Sequence, residues 1–424
     1  MVTAGGVVRM TVPYWSACGH DLSASHSQHP LQLFVTGSTP DRQPQGWTPT
    51  RSTRAICSSL AQVFILSARS TADQLDAIDR QLVDLLQRRA ELVRHDFASS
   101  DQQDVAGLML AQSRRVEQLA TEYLVNQPDL SAAATADWLR HAAAVCLSGL
   151  HQSRVAFLGP EYSYSHLAAI KMFGDATPMA AVATIPAVFD SILRGDAHAG
   201  LVPIENSTDG RIVDTLGMFV RVNVKICGEV LLPIHHNLLS RTPREQIREV
   251  HSKPQALSQC RTWLANHLPK ARLVECSSTT TAAELAASTP GIAAVASLEA
   301  GRQYQLDVID ASIEDNPNNV TRFAVLGRHL SPPTGNDKTA VLFQVAHRPG
   351  ALADAMVLFK EAGLNLTWIE SFPVPQSSAE YLFFVETAGH ASDPQVAAAL
   401  QRLQAITLRL EILGSYPRAT LAGV

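Results

Sequence analysis

Two short stretches of the chain join hydroxyl and amide side chains to charged ones. Residues 202–210 read VPIENSTDG and residues 318–323 read NNVTRF, each at one end of an apolar run. In a dry site a hydroxyl can donate a hydrogen bond or a proton to a leaving oxygen, and an arginine can clamp a carboxylate. Neither stretch has histidine, cysteine or metal-ligand spacing. The chemistry open to them is therefore hydrogen bonding, proton donation and charge stabilisation.

Three further junctions carry the same types of residue. They are residues 157–169 (FLGPEYSYSHLAA), 251–264 (HSKPQALSQCRTWL) and 276–284 (CSSTTTAAE). Ser163 or Ser165 could cap a helix, and a helix N-terminus with free N–H groups favours an anion. Taken singly, each junction also fits an ordinary turn or helix cap. Together, the five polar junctions at strand ends predict a site for a polar, anionic small molecule.

Composition narrows the class of protein. The chain has 424 residues and a formal net charge of −5, which argues against a nucleic-acid surface. Its six cysteines are scattered without a CxxC pair, so neither a zinc site nor a disulfide framework is predicted, and a reducing cytoplasm fits best. No apolar run reaches the roughly 18 residues of a membrane helix. His235 and His236 are adjacent and would point to opposite faces of a strand, so no metal site is predicted.

The elements that must position these residues begin after an irregular leader. Residues 1–66 have no clear period and are interpreted as a disordered leader or as coding sequence upstream of the true start, with an Arg- and Ser-rich targeting segment as the alternative. The next segment, to about residue 152, is predicted to be helical, in three helices. Its first helix has apolar residues at helical spacing, namely Leu75, Ile78, Leu82, Leu85 and Leu86.

The pattern of apolar and polar residues changes from Arg154 onwards. Short apolar strands alternate with helical stretches, which predicts an α/β layer architecture. The stretch SPPTGND at residues 331–337 is typical of a linker. After it, the pattern reads β-α-β-β-α-β, as in a ferredoxin-like α+β sandwich.

In this order, the five junctions resemble prephenate dehydratase. HRPGALADAM at residues 347–356 and NLTWIESFP at 365–373 resemble the ACT domain that follows it, and the helices before it resemble the chorismate mutase domain of the bifunctional enzyme. The resemblance covers about residues 71–420. It implies a multidomain chain, with an all-α three-helix chorismate-mutase-like domain (67–152), a two-lobed α/β domain like type II periplasmic-binding proteins (153–330) and an ACT domain (338–420).

The resemblance implies that prephenate loses carbon dioxide and its ring hydroxyl to give phenylpyruvate, without a cofactor. It places Thr321 at the leaving hydroxyl and makes Arg322 a candidate for holding either substrate charge or the region of Glu205, with Glu205 and Asn206 completing the catalytic set. The residues it implies for substrate binding are Ser163, Ser165, His166, Ser207, Thr208, Ser252, Gln259, Ser278, Thr279, Asn319 and Phe323.

Regulation by L-phenylalanine is also implied by the resemblance. In related enzymes the effector lies between two ACT domains, which predicts a homodimer or homotetramer. A purely structural dimerisation module is the alternative. Phe372 stands where the family motif has arginine. The residues matching the effector site are Gly350, Ala351, Leu352, Glu370 and Ser371.

The mutase-like helices depart from the family pattern. Arg89 matches an active-site arginine, but the early arginine falls on Ala72 and the lysine falls near Ser100. The first lysine of the chain is Lys171. The Arg-Glu pair of the second helix reads as Arg114 followed by a second arginine. We therefore predict a mutase-like pocket at Arg89 and Arg114 with weak or no activity on chorismate. The alternatives are a fully bifunctional enzyme and a non-catalytic, amino-acid-sensing regulator.

Overall fold

A computed structural model of the chain describes residues 71–99, 104–123, 131–148, 154–373 and 381–421. The predicted leader at residues 1–66 and the position near Ser100 lie outside these ranges. The chain divides into two compact units, Met1–Asp79 and Arg80–Val424. The described residues of the first unit are the opening turns of a long helix.

Three helices form the N-terminal part of the described chain: α1 (Thr71–Ser99), α2 (Val105–Tyr123) and α3 (Ala132–Ser148). The α3 helix begins after Ser131, whose hydroxyl accepts the N–H of Ala134. Buried residues of α2, such as Met109 and Leu110, share a core with Phe157 and Phe173 of the following α/β region. The helices therefore pack directly on the α/β region.

The predicted apolar face of α1 is only partly covered. Leu82, Leu85 and Leu92 are exposed, and only Leu86 of the predicted set is half-buried. Within the described ranges, no other element packs over these exposed leucines closely enough to bury them. The periodicity therefore predicted the helix correctly, but it did not predict what the face packs against.

A ten-stranded sheet runs through the first lobe of the α/β region and the C-terminal domain. Its order is β13-β14-β12-β15-β5-β11-β3-β1-β2, with β4 paired to β3. The strands of the first lobe are β1 (Val155–Leu158), β2 (Met179–Val182), β3 (Ala199–Asn206), β4 (Gly210–Arg211), β5 (Lys225–Pro233) and β11 (Val320–Gly327). The helices of this lobe are α4 (Tyr164–Phe173), α5 (Ile185–Arg194) and α6 (Val213–Arg221).

A five-stranded sheet in the order β10-β6-β9-β7-β8 forms the second lobe. Its strands are β6 (Asn237–Ser240), β7 (Glu249–Ser252), β8 (Arg272–Glu275), β9 (Ile292–Ala296) and β10 (Asp307–Asp310). Its α-helices are α7 (Pro254–Gln259), α8 (Arg261–His267), α9 (Thr279–Ser288) and α10 (Leu298–Gln303), and a 3₁₀ turn covers Arg244–Gln246. The chain crosses between the two sheets twice, at residues 234–236 and 311–319.

The C-terminal domain has the predicted β-α-β-β-α-β order. Its elements are β12 (Asp337–Gln344), α11 (Ala351–Glu361), β13 (Leu366–Pro373), β14 (Tyr381–Ala388), α12 (Pro394–Ile406) and β15 (Arg409–Pro417). β15 joins the first lobe by pairing Gly414 with Ile226 of β5. A Cβ at Gly414 would clash with the carbonyl oxygen of Ile226, so this junction requires glycine.

One hydrophobic core spans the first lobe and the C-terminal domain. It contains Val202, Ile204 and Leu326 from the lobe together with Phe384 and Tyr416 from the domain. The second lobe has its own core around Leu238, Val250 and Leu264. No helix in the described ranges is long and apolar enough to span a bilayer.

Candidate active site at the crossing strands

Thr321 and Asn206 face each other where β11 begins and β3 ends. The two strands are antiparallel and pair these residues in register. The side-chain amide of Asn206 donates to Thr321 Oγ1 at 2.8 Å and to Asn319 Oδ1 at 2.9 Å. All three side chains are buried. The strand register therefore brings together residues that lie more than 110 positions apart in the chain.

The amide of Asn206 is oriented by its own turn. Its Oδ1 accepts the backbone N–H groups of Thr208 and Asp209 at 2.9 and 3.0 Å, so its Nδ2 must be the group that faces Thr321. Thr321 Oγ1 therefore acts as an acceptor towards Asn206. No group among the described residues accepts the hydroxyl hydrogen of Thr321, so this hydrogen is available to a substrate.

Asn319 is the centre of a wider polar cluster. Its Oδ1 lies 3.3 Å from Thr208 Oγ1 and 3.5 Å from Ser207 Oγ, and both hydroxyls donate to it. Ser207 Oγ in turn accepts the backbone N–H of Val320 at 2.9 Å. Ser207, Thr208 and Asn319 therefore lie together with Asn206 and Thr321.

Gln259, the last residue of α7, links this cluster to the second lobe. Its Oε1 accepts from Asn319 Nδ2 at 2.9 Å, and its Nε2 donates to Asp209 Oδ2 at 2.9 Å. The same Oε1 lies 2.9 Å from His236 Nε2. Burial lowers the pKa of His236, so the ring is neutral near pH 7 and donates from Nε2. The sequence predicts only an ordinary core or surface histidine at His236 and does not single out Asp209. The feature that could have indicated a role for His236 is its position in the segment that connects the two lobes.

Two predicted hydroxyl residues cap helices. Ser163 is the N-cap of α4, and Ser278 is the N-cap of α9, where it accepts the N–H of Thr281 at 2.9 Å. Thr279, the first residue of α9, is buried. In the described structure, none of the three is hydrogen-bonded to Asn206, Asn319 or Thr321. The hydrogen bonds of Ser163 and Ser278 at these positions are local helix caps.

Four residues predicted to bind substrate are buried or make contacts within the protein. Ser252 is fully buried and donates to the Val295 carbonyl at 2.6 Å, and Phe323 is buried in the core of the first lobe. Ser165 is buried in α4. The ring of His166 stacks on Phe157 with centroids 4.8 Å apart, and its Nδ1 accepts the N–H of Tyr162. Burial lowers the pKa of His166. Motif membership does not distinguish a residue that faces the site from one that supports it.

Arg322 and Glu205 do not face the Thr321 cluster. Neighbouring residues of a strand point to opposite faces, so both side chains lie behind Thr321 and Asn206. Arg322 is buried and donates to both carboxylate oxygens of Glu386 in β14, at 2.7 and 2.9 Å. Of the two roles left open for Arg322, these contacts favour holding the region of Glu205 over binding substrate charge. Its Nε does lie 3.3 Å from Glu205 Oε2.

Arg89 and Arg114 do not share a pocket. Arg89 lines a cavity of about 680 Å³ among the helices, with Gln112, Arg115 and His95 also at its wall. Arg114 lines a separate cavity with Glu229 and Lys171. Arg89 donates to Gln112, and its Nη1 is buried without a hydrogen-bond partner in the described structure. Adjacent helical residues diverge by about 100°, which explains why Arg115 joins Arg89 and Arg114 does not.

The predicted effector residues separate into two groups. Ala351 and Leu352 line a cavity of about 150 Å³ whose wall also includes Phe383. Ser371 pairs with Phe383 across β13 and β14 and so shares its face, and Gly350 caps α11. Glu370 points to the other face, where it forms an ion pair with Arg211 of β4. Glu370 therefore lies on the face of the sheet opposite the cavity that Ala351 and Leu352 line.

Comparisons with known proteins identify two regions of the chain. A family model described as prephenate dehydratase matches residues 155–331, and one described as ACT domain matches residues 339–405. The predicted dehydratase region followed by an ACT domain is thereby confirmed. The described residues contain no group of three or more His, Cys, Asp or Glu side chains placed to hold a metal ion.

A curated bifunctional chorismate mutase/prephenate dehydratase from Pseudomonas aeruginosa is 35% identical over 354 residues, covering 82% of this chain and 97% of that protein. A solved prephenate dehydratase from Arthrobacter aurescens, in complex with L-Phe, is 33% identical with a TM-score of 0.59, covering 63% of this chain and 90% of that one. A solved structure described as GqqA, a novel type of quorum quenching acylase, is 29% identical with a TM-score of 0.58, covering 63% of this chain and 98% of that one. By the extent and identity of the first match, the chain belongs to the bifunctional chorismate mutase/prephenate dehydratase family.

Proposed function

We propose that the chain is a prephenate dehydratase, which converts prephenate to phenylpyruvate, carbon dioxide and water under control of L-phenylalanine through its ACT domain. The observation that carries this function is the orientation of Thr321. Asn206 holds Oγ1 as an acceptor at 2.8 Å, which leaves the hydroxyl hydrogen for a leaving oxygen. Family membership supplies the substrate, and the geometry supplies the catalytic donor.

The reaction breaks two bonds of the substrate. The ring carboxylate leaves as carbon dioxide, its bonding electrons enter the ring, and the carbon–oxygen bond to the ring hydroxyl breaks as the ring becomes aromatic. Thr321 donates its hydroxyl proton to the departing oxygen as negative charge develops on it, so that the oxygen leaves as water, and solvent then returns a proton to Oγ1. The amide of Asn206 stabilises Oγ1 as electron density shifts onto it. Aromatisation supplies the driving force, so an aimed hydroxyl is sufficient.

The negative charge of prephenate requires partners other than arginine at this cluster. In the described chain no arginine or lysine is hydrogen-bonded to Thr321, Asn206 or Asn319. The N-termini of α4 and α9, capped by Ser163 and Ser278, offer backbone N–H groups and a favourable helix dipole. We assign the carboxylates of the substrate to these two helix ends.

Effector binding is proposed at the cavity that Ala351 and Leu352 line. Ser371 lies on the same face of the sheet, whereas Glu370 does not. One ACT domain offers only about 150 Å³ here, a small space for an amino acid. A second ACT domain would complete the site, which supports a homodimer or a larger assembly.

The helical cavity supports weak or no chorismate mutase activity. It offers Arg89 and Arg115 but no lysine, and mostly apolar side chains complete its wall. A pericyclic rearrangement of a dianion depends on the positioning of the substrate and on complementary positive charge. The residues that line this cavity provide little positive charge. Turnover of chorismate by the purified protein at ordinary enzyme rates would contradict this part.

An acylase activity, as named for GqqA, is the second candidate. The arrangement in its favour is Cys276, whose Sγ lies 3.6 Å from His251 Nδ1, with His251 Nε2 at 2.8 Å from Glu249. However, burial raises the pKa of the Cys276 thiol, which opposes the thiolate that a nucleophile needs. We therefore favour the dehydratase.

One assay decides between these functions. The full-length protein is given prephenate, and formation of phenylpyruvate is followed by absorbance with and without phenylalanine. We expect turnover that phenylalanine suppresses. The absence of turnover on prephenate would overturn the proposal, and the same preparation can then be tested on chorismate and on an acylated substrate.

A further inference from the structure

The strand pair that carries Thr321 and Asn206 has a second polar layer on its opposite face. Arg322 pairs in register with Glu205, directly beside the pair formed by Thr321 and Asn206. Because adjacent residues alternate between faces, each site residue has a charged neighbour behind it. The hydroxyl and amide face the site, and the guanidinium and carboxylate face the ACT domain.

Arg322 is held almost entirely by groups outside the site. Glu386, which is fully buried in β14, accepts two of its hydrogen bonds and also accepts the hydroxyl of Tyr416 at 2.6 Å. Glu229 lies 3.3 Å from Arg322 and is paired at 2.9 Å with Lys338 of β12. Two carboxylates thus balance two cations in a buried network. Burial alone would lower the pKa of Arg322, but the nearby Glu386 carboxylate raises this pKa above its ordinary value.

The ACT strand β13 contacts both ends of this layer. The ring of Trp368 lies 4.7 Å from the Arg322 guanidinium carbon. Two positions further along, Glu370 forms an ion pair with Arg211, and the ring of Phe372 lies 5.7 Å from the Arg211 guanidinium. Arg211 belongs to β4, the strand that closes the turn containing Asn206. The strand therefore touches the backs of β11 and of the β3–β4 hairpin.

We propose that Arg322 and Arg211 are positioning residues of the dehydratase site, through which strand β13 of the ACT domain sets the alignment of Thr321 with Asn206. This inference rests on the proposed dehydratase function. Neither arginine touches the substrate. Each fixes the back of a strand whose front carries a site residue.

Arg322 also has a contact that is only partly made. Its Nε lies 3.3 Å from Glu205 Oε2, but the N–H is not directed at that oxygen, and this buried nitrogen makes no hydrogen bond in the described structure. A small shift between β3 and β11 would complete the bond. Such a shift changes the register of Asn206 against Thr321 by the same movement. A strain applied by β13 on effector binding would therefore be transmitted directly to the site.

The test uses the full-length protein with Arg211→Gln, Glu370→Gln and Glu386→Gln. We expect kcat on prephenate to fall about tenfold, because small misalignments of catalytic groups carry large rate penalties. We expect KM to change less than about twofold, since the substrate contacts remain. In Arg211→Gln, phenylalanine binding measured by calorimetry should persist while its effect on kcat falls. Arg211→Lys should recover part of both kcat and the phenylalanine response.

Glu361→Gln is the matched control. It removes a carboxylate from the same domain, but from an exposed ion pair with Arg402, and should keep wild-type kcat, KM and phenylalanine response. If Glu386→Gln fails to fold, the kinetics of Arg211→Gln decide the test, because the Arg211 side chain is half-exposed and its replacement should not prevent folding. If the wild type is active and both Arg211→Gln and Glu370→Gln keep its kcat and its phenylalanine response, this inference is overturned and the proposed function stands. A wild type inactive on prephenate overturns the proposed function, and this inference with it.

Discussion

The polar cluster at β3 and β11 and the cavity among the three helices differ in how their polar groups are satisfied. In the cluster, Asn206 uses both ends of its amide and directs one hydrogen bond at Thr321. In the helical cavity, Arg89 leaves one buried nitrogen without a hydrogen bond in the described structure, and leucines form much of the wall. One region is preorganised, and the other is not.

The difference has a structural cause. Strand pairing fixes the relative positions of Asn206 and Thr321 to within a hydrogen-bond length, because both are anchored in one ladder. The polar residues of the helical cavity project from separate helices, and α1 leaves Leu82, Leu85 and Leu92 exposed. A site built on paired strands is precise, whereas a site built between incompletely packed helices depends on further contacts.

Removing the Thr321 hydroxyl should have the largest effect. Thr321→Val keeps the shape of the side chain and leaves Asn206 bonded to Asn319, so the fold should survive. We expect kcat on prephenate to fall about 10²- to 10⁴-fold, as for loss of a general acid or charge-stabilising donor. Thr321→Ser restores a hydroxyl and should recover most of the rate. A wild-type kcat in Thr321→Val would mean that the Thr321 hydroxyl is not the catalytic donor and that the strand cluster is no more a catalytic site than the helical cavity.

Breaking the link between lobes should have an intermediate effect. Gln259→Leu removes the acceptor of the buried Asn319 amide and the donor to the exposed Asp209, so the buried amide of Asn319 is left with an unpaired N–H. We expect kcat/KM on prephenate to fall about tenfold or more. Steady-state kinetics test this, with circular dichroism to check folding. Retention of wild-type kcat/KM would mean that Gln259 only fills space.

The pH dependence of stability should reflect His236, which belongs to the cluster. Burial lowers its pKa from 6.5, so between that lowered value and about 6.5 the unfolded chain binds more protons than the folded one. The free energy of unfolding should therefore decrease as pH falls through this window. The urea midpoint of His236→Asn, measured at pH 7.5 and pH 5.5, should decrease less than that of the wild type. Equal decreases would contradict a neutral, buried His236.

The smallest effect is expected in the helical cavity. Arg89→Ala should leave kcat on prephenate within about twofold of wild type and change the free energy of unfolding by less than about 1 kcal/mol. Among the described residues, its side chain is hydrogen-bonded to Gln112 and to no member of the dehydratase cluster. Kinetics on prephenate and urea unfolding provide the measurements. A large loss of dehydratase activity would show that the helices act on the strand site.

Much of the architecture could be predicted from sequence because its signals are local. Apolar periodicity predicted the helices, and strand–helix alternation predicted the α/β region and the ferredoxin-like order after residue 337. The grouping of Asn206, Ser207, Thr208, Asn319 and Thr321 followed from their positions at strand ends.

The sequence by itself determined which residue types stand at each strand end and hence which chemistry is open to the site. Only the tertiary structure decided which way each side chain points. The alternation of a strand puts Thr321 and Arg322 on opposite faces, and no local signal says which face meets the substrate. That choice depends on what packs behind the strand, and here the packing partner is Glu386, from a domain that begins after the strand has ended. Contacts between distant segments depend on the complete fold, so a motif specified these residues but not their orientation.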